Sequence, residues 1–253
     1  MRGQLAATIA ADLVDLVLPS RCVACRRPGT VWCLRCRPEP SPRRSQLSAE
    51  LSVTAAGDYE DGLRSALLAY KERGQRSLAP ALAGYLDSAV DDALLTDGPA
   101  AGRPVAVALI PSARGAASER GGDHLRRLCR RSALAGLPRA RLRLTGPVRD
   151  SAGLSIAARK ANLSCRMRAA PPPDWAQGHP VLIVDDIVTT GATLTEANRA
   201  LAAAGWRVCG AVVVAATRRR WPEHDNAGGV ADSLATQKNQ GGFTVQMRPD
   251  ALA

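Results

Sequence analysis

Apolar residues follow two rhythms along this chain of 253 residues. Three stretches are apolar almost without a break: 105–110 (VAVALI), 181–184 (VLIV) and 206–217 (WRVCGAVVVAAT). Continuous runs this short read as strands buried on both faces of a parallel sheet. Other stretches repeat at helical spacing. Leu5, Ile9, Leu13 and Leu16 fit a short amphipathic helix ended by Pro19. Leu63, Leu67, Leu68 and Tyr70 fit a helix over 59–71, broken at Gly74. Further helices are expected over 78–95, over 123–135, near 155–165, and from Thr193 until Gly205 stops it. Strands alternating with helices predict an α/β fold: a doubly wound parallel sheet with ligands at the carboxyl ends of its strands. Residues 37–46 (RPEPSPRRSQ) read as a Pro- and Arg-rich linker, and 98–104 as a loop. The chain thus divides into an N-terminal helix (1–20), a cysteine module (21–37), the main domain (50–220) and a tail (221–253) whose Gly-, Asn- and Gln-rich composition predicts disorder.

Chemistry concentrates in 181–193, VLIVDDIVTTGAT. The strand expected over 181–184 runs into two adjacent carboxylates, Asp185 and Asp186. Thr189, Thr190, Gly191 and Thr193 then supply a loop of small side chains and hydroxyls. Thr193 and Glu196 are spaced as a capping box for the following helix. The first backbone N–H groups of that helix lack intrahelical partners and suit a phosphate. The acids can accept hydrogen bonds from vicinal sugar hydroxyls. A phosphate cradle beside a diol grip suits a ribose 5-phosphate.

Four of the seven cysteines, Cys22, Cys25, Cys33 and Cys36, form C-x2-C-x7-C-x2-C around a Pro28-Gly29 turn. This spacing suits a tetrahedral four-thiolate zinc site with no open position for catalysis. A redox dithiol pair is the other reading. The module is too small to fold on apolar burial alone, so a metal would hold it. Cys129, Cys165 and Cys209 are scattered and expected to pack as small apolar residues.

Charge adds one further fact. Residues 114–168 carry thirteen Arg and Lys160 against Glu119, Asp123 and Asp150, so the whole +11 surplus of the chain sits there. Such a field steers anions, whether a polyphosphate or a nucleic-acid backbone. Arg outnumbers Lys 31 to 3, so compositional bias producing a solvated Arg-rich face is the plainer account. No stretch is long and apolar enough to span a bilayer, and Asp12 and Asp15 interrupt the apolar start, which lacks a signal-peptide pattern. A cytoplasmic location is the default expectation.

The segment 181–193 closely resembles the phosphoribosyl-pyrophosphate (PRPP) motif of the type I phosphoribosyltransferases. The order of motifs is similar to the ComF family (competence protein ComF/GntX-like). It reads here as Leu16-Val17-Leu18-Pro19, the four cysteines, 59–71, Leu109-Ile110-Pro111-Ser112, Arg120-Gly121, 159–163 (RKANL) and 181–193. The resemblance covers about residues 10–217. It implies a PRPP-binding protein that transfers ribose 5-phosphate to an acceptor and releases pyrophosphate, with Mg²⁺ accompanying PRPP and a structural Zn²⁺ on the cysteines. It implies ribose contacts from Asp185 and Asp186 and a 5-phosphate cradle over Val188, Thr189, Thr190, Gly191, Ala192 and Thr193. It makes Pro111, Ser112, Ala113 and Arg114 the pyrophosphate loop, Lys71 a pyrophosphate contact and Arg120 the start of a mobile hood. Arg159 and Asn162 resemble an Arg-x-x-Asn element near the pyrophosphate or the nucleophile. Where family members carry Gln ahead of that element, this chain has Asp150-Ser151; the usual Arg-Gly-Phe-Asn reads Arg120-Gly121-Gly122-Asp123. Both differences fall on the acceptor side, so the acceptor is not inherited from the resemblance. Self-association is compatible with all of this.

Two other classes of function remain open at this level. One is a PRPP-responsive regulator without turnover. The other is a competence-associated factor that contacts single-stranded DNA through the cysteine module, with Arg26, Arg27 and Trp32 as the contacts.

Overall fold

Pro180–Val188 and Arg207–Ala216 form two interior strands of the sheet, and most of their residues are buried. In the computed structural model the described residues are 20–101, 106–111, 123–145 and 166–217, all within the unit Met1–Pro222. The expected helix over 1–19, the tail over 221–253 and the helical stretch near 155–165 lie outside them.

The elements in chain order are β1 (Arg43–Ser48), β2 (Leu51–Ala55), α1 (Asp61–Lys71), α2 (Ala79–Ala101), β3 (Ala106–Leu109), α3 (His124–Cys129), β4 (Leu142–Leu144), β5 (Met167–Ala169), β6 (Pro180–Val188), α4 (Ala192–Ala203) and β7 (Arg207–Ala216). The main sheet has the order β1-β2-β7-β6-β3. Its pairs β2–β7, β7–β6 and β6–β3 are parallel, and only β1 runs antiparallel, as a hairpin with β2. The mixed α/β fold with a mainly parallel central sheet is the one its alternating pattern predicts. β4 and β5 form a separate two-stranded ribbon.

Three local expectations need correction. Residues 43–46, read as linker, begin edge strand β1. An edge strand with one face toward solvent tolerates Arg43, Arg44 and Gln46, so it carries no apolar signature. The second helix runs through Gly98 and Pro99 to Ala101 rather than ending at Leu95. The third ends at Cys129 rather than 135, because the chain must return along the free edge of β3. There Val107 N–H donates to the Pro138 carbonyl (2.9 Å) and Ala140 N–H to the Val107 carbonyl (3.0 Å).

Leu63 and Leu67 of α1, Leu82 and Leu86 of α2, Leu125 and Leu128 of α3, and Leu194 and Leu201 of α4 are all within 2% of full burial. Helices packed this way fix where their ends fall. The last residue of α1 and the first of α3 meet at the carboxyl half of β6. No helix among the described residues is long and apolar enough to cross a membrane.

Candidate active site and metal centre

β6 does not stop at the acids. It continues through Asp185, Asp186 and Ile187 to Val188, so both carboxylates sit within the strand, near its carboxyl end. Successive side chains on a strand point to opposite faces. The two acids therefore part company, and the single diol grip read from their adjacency becomes two different environments. Asp186 is 4% exposed. Its Oδ2 accepts from Lys71 Nζ at 2.8 Å and from His124 Nε2 at 2.9 Å. Asp185 is half-buried, and its Oδ1 accepts the Asp186 backbone N–H at 2.8 Å.

Charge separates them further. Burial alone would raise the Asp186 carboxyl, but the His124 hydrogen bond and the Lys71 charge outweigh it and hold the group well below the usual carboxylate range. Burial, then the negative charge of Asp186, push Asp185 well above that range, with Lys71 opposing. Burial would lower Lys71, yet Asp186 first and Asp185 after it keep its ammonium above the usual lysine value. Two groups with diverging affinities for a proton on one strand are what an acid–base or ion-binding site requires. Because Asp186 stays ionised and can only accept, the His124 Nε2 carries the hydrogen of their shared bond.

His124 was not among the residues picked from sequence. It opens α3, directly after the helix cap made by Asp123, whose Oδ1 accepts Arg126 N–H at 3.0 Å. The Tyr70 ring meets the imidazole edge-on with centroids 6.3 Å apart, and the Tyr70 hydroxyl donates to the His124 carbonyl at 2.8 Å. Tyr70 and Lys71 thus clamp His124 and Asp186 from one helix end. The chain holds only three histidines, and one directly behind the Arg120-Gly121 element was the available signal.

Beyond β6 the chain turns at Gly191, whose φ of 74° is left-handed, straight into α4. The expected capping box does not form. Helix has already begun at Ala192, so Thr193 is inside the first turn. Glu196 faces β5, accepting Met167 N–H at 2.9 Å and pairing with Arg199 at 2.7 Å. Gly191 at the N-cap has no side chain with which to cap this helix. Thr190 Oγ1 accepts Ala192 N–H at a long 3.3 Å, and Thr195 Oγ1 donates to the Gly191 carbonyl at 3.0 Å. Thr189 is exposed at the loop apex, and Thr190, Ala192 and Thr193 are half-buried around it. Val188 is a buried strand residue whose carbonyl accepts Thr217 N–H at 3.1 Å, so its side chain is not available to a ligand. Pro111 directly follows Ile110 after β3, the strand beside β6. Ser112, Ala113, Arg114, Arg120, Arg159 and Asn162 lie outside the described residues.

The four cysteines converge as their spacing predicts: all four sulfurs lie within 4.8 Å of one another. A tetrahedral ion with bonds of about 2.3 Å separates its sulfurs by about 3.8 Å. Cys25 and Cys33 Sγ are 3.7 Å apart, far longer than a disulfide. Burial pushes the Cys22 thiol up, but the backbone N–H groups of Cys25, Cys33 and Ala24 outweigh it and bring it down to about 6. The sulfurs of Cys25 and Cys33, crowding Cys36, push it up to about 12. Four sulfurs gathered so closely, one of them readily ionised, suit a cation, and the set fits a closed four-sulfur ion. Cys129 is buried as expected, Cys209 is half-buried, and Cys165 lies outside the described residues.

The cysteine module docks on the main domain. Trp32 stacks on Tyr85 of α2 with ring centroids 5.7 Å apart and donates Nε1–H to the Cys36 carbonyl at 3.0 Å. The Tyr85 hydroxyl donates to the Pro38 carbonyl. Gly62 of α1 leaves room for the Cys36 carbonyl, which a Cβ there would overlap. This corrects the expectation of a single-strand DNA contact at Trp32. The indole is 6% exposed and its face is taken by Tyr85, so no base can stack on it.

The family profile of the phosphoribosyl transferase domain matches residues 172–247, less than half of the chain but including β6, the Gly191 turn, α4 and β7. Among solved structures the chain is similar to a hypoxanthine phosphoribosyltransferase from Staphylococcus aureus, at 15% identity and a TM-score of 0.32. That match covers 57% of this chain and 66% of the other, just under two thirds of its length. No curated protein matches the chain.

Proposed function

We propose that this protein binds PRPP at the carboxyl edge of β6 and transfers its ribose 5-phosphate to an acceptor, releasing pyrophosphate, in the manner of a ComF-type phosphoribosyltransferase. The carrying observation is the junction itself. A parallel strand delivers carboxylates, and the chain then turns through a left-handed glycine, which has no side chain to cap with, into a helix whose first N–H meets only Thr190 Oγ1, at a long 3.3 Å. Free N–H groups and the positive end of a helix receive a phosphate. Thr189 and Thr190 lie beside them with hydroxyl donors.

Asp186 offers its second oxygen, Oδ1, to the ribose hydroxyls while Oδ2 stays on His124. Lys71 is the movable partner. Its side chain is 30% exposed at the end of α1, and its ammonium transfers from Asp186 to the arriving pyrophosphate, so charge is exchanged and not newly buried. Displacement at the anomeric carbon passes through an oxocarbenium-like state, and the carboxylates beside it stabilise that positive charge. Mg²⁺ is a hard ion that keeps phosphate and water oxygens, so it arrives with PRPP as part of the substrate. Zinc on Cys22, Cys25, Cys33 and Cys36 is structural: it fixes Cys36, on which the start of α1 rests.

Calorimetric titration of PRPP with Mg²⁺ into wild type and into Asp185→Asn/Asp186→Asn tests the reading. Binding lost in the double variant is the expected result, followed by a search for acceptors that release pyrophosphate. A folded, zinc-loaded wild type that binds no PRPP would end it. Binding without pyrophosphate release from any acceptor would make the protein a PRPP sensor.

A further inference from the structure

Beyond β3, on the side away from β6, lies an open cleft of about 660 Å³ that reaches Leu109, Ile110 and Pro111, and in it positive charge is unmatched among the described residues. Its described charged walls are Arg126 of α3, Arg139 and Arg141 of the run leading into β4 and Arg143 of β4, against one described carboxylate, Asp123, which already caps α3. Alternation explains the cluster. Ala140, Leu142 and Leu144 pack against the core, so Arg139, Arg141 and Arg143, which alternate with them, share the opposite face. Arg139 Nη1 is buried with no hydrogen-bond partner, and a buried guanidinium nitrogen without an acceptor is a rarity that asks for an anion. The β4–β5 ribbon adds a second sign. Arg143 stands directly opposite Arg168, a like-charge pairing that weakens a ribbon. Slippage cannot relieve it, because Met167 is buried and Leu142 and Leu144 lean on the core, which fixes the register. None of these five arginines has an ion-pair partner among the described residues.

A second cavity, of about 300 Å³, shares Arg139 and Arg141 as walls and is lined by Trp175, which is 54% exposed in a chain with only 3% aromatic residues. Guanidinium forks match phosphate oxygens, and an exposed indole offers a face to a base. We propose that the paired cavities form a nucleoside triphosphate site that borders the expected pyrophosphate loop at Pro111 but does not use the Gly191 cradle, with the phosphates among Arg126, Arg139, Arg141 and Arg143 and the base against Trp175. The volumes suit a small ligand and not a polymer. Among the described residues the walls around the phosphates hold no aromatic on which a nucleic-acid strand could stack.

ATP is titrated into the full-length, zinc-loaded protein with and without saturating PRPP, following tryptophan fluorescence and heat. Expected are binding that PRPP does not displace and an affinity loss of at least about ten-fold in Arg139→Gln/Arg141→Gln. In Trp175→Ala the affinity should fall to that of inorganic tripolyphosphate. PRPP affinity stays at the wild-type value in both. Arg126→Gln, on an exposed helix position, weakens ATP in the same sense if the double variant fails to fold. Displacement of ATP by PRPP one for one, or unchanged ATP affinity in the glutamine variants, would overturn the assignment. So would a single-stranded oligonucleotide that binds where ATP and tripolyphosphate do not. Since ATP binding is read without PRPP, a protein that binds no PRPP leaves this test intact.

Discussion

Replacing Gly62 by alanine should destabilise the protein although Gly62 lies in a helix, where alanine is intrinsically better by about 1 kcal/mol. The added Cβ would overlap the Cys36 carbonyl oxygen and lie 2.8 Å from its carbonyl carbon. Carbon–carbon contacts settle at about 3.5–4.0 Å, so the Cys36 backbone must retreat by about 1 Å. Overpacking of this kind costs about 1–3 kcal/mol. The same retreat breaks the Trp32 bond to that carbonyl, now 3.0 Å, for about 1 kcal/mol more. After the helix gain, Gly62→Ala should lose roughly 1–3 kcal/mol in urea unfolding of the zinc-loaded protein. Metal–ligand distances tolerate about 0.2 Å, so zinc should also pass faster to a competing chelator. Gly84 is the matched control: it lies in α2, and a Cβ there meets nothing within 4 Å. Gly84→Ala should gain about 1 kcal/mol. A Gly62→Ala protein as stable as wild type, releasing zinc no faster, would refute the docking argument. It would also remove the link from the metal through α1 to Lys71.

Asp185 and Asp186 should separate in stability while agreeing in function. Asp186→Asn removes a doubly bonded carboxylate and should cost roughly 1–3 kcal/mol at neutral pH, whereas Asp185→Asn relieves a carboxyl that burial disfavours as an ion and should be neutral or stabilising; denaturant midpoints at pH 7 decide, and a reversed order would contradict the assigned environments. The pH dependence follows from the same shifts. Asp186 is lowered on folding, so its contribution is present above its unfolded value of about 4 and is lost as pH falls through the folded one. Lys71 is raised, so its contribution is full below about 10.4 and fades as pH rises through the folded value. Urea midpoints across pH should therefore show the gap between wild type and Asp186→Asn closing below about pH 4. Tyr70→Phe removes the hydroxyl that holds the His124 carbonyl and should cost about 1 kcal/mol, with weaker PRPP binding by calorimetry than that loss of stability alone brings. Stripping the metal with a chelator under reducing conditions should expose Trp32 and red-shift its emission; an unchanged spectrum would mean that the module stands without metal.

What could be read from the sequence was whatever is contiguous. β6 and β7 announce themselves because both faces are buried, so they are apolar nearly throughout. The cysteines converge because the spacing of paired knuckles is itself the geometry. The hairpin β1–β2 escaped notice because its outer strand is RRSQLS, whose polar residues an edge strand can leave at the surface. The capping box was an error of register. Thr193 and Glu196 have the right spacing, but Gly191 turns the chain two residues earlier and leaves Glu196 free to hold β5.

The larger gap between sequence and site is the unequal fate of the two acids. As letters Asp185 and Asp186 are the same, and their adjacency suggests a shared task. The pleat sends them apart, and the difference in their proton affinities then depends on residues that only the fold brings near. His124 lies 62 positions away and reaches Asp186 only because α3 begins at Asp123 and is packed through Leu125 and Leu128. Lys71 arrives because α1 ends there, and α1 starts where Gly62 meets the cysteine module. A four-cysteine cluster that could hold a closed zinc ion thereby bears on a carboxylate at the far end of an eleven-residue helix. It does so through one carbonyl, one glycine and the rigidity of that helix. The cysteine module is therefore part of the site's positioning, and loosening it, by removal of any ion it holds, should be felt first in the grip of Lys71 on Asp186, before the sheet itself yields.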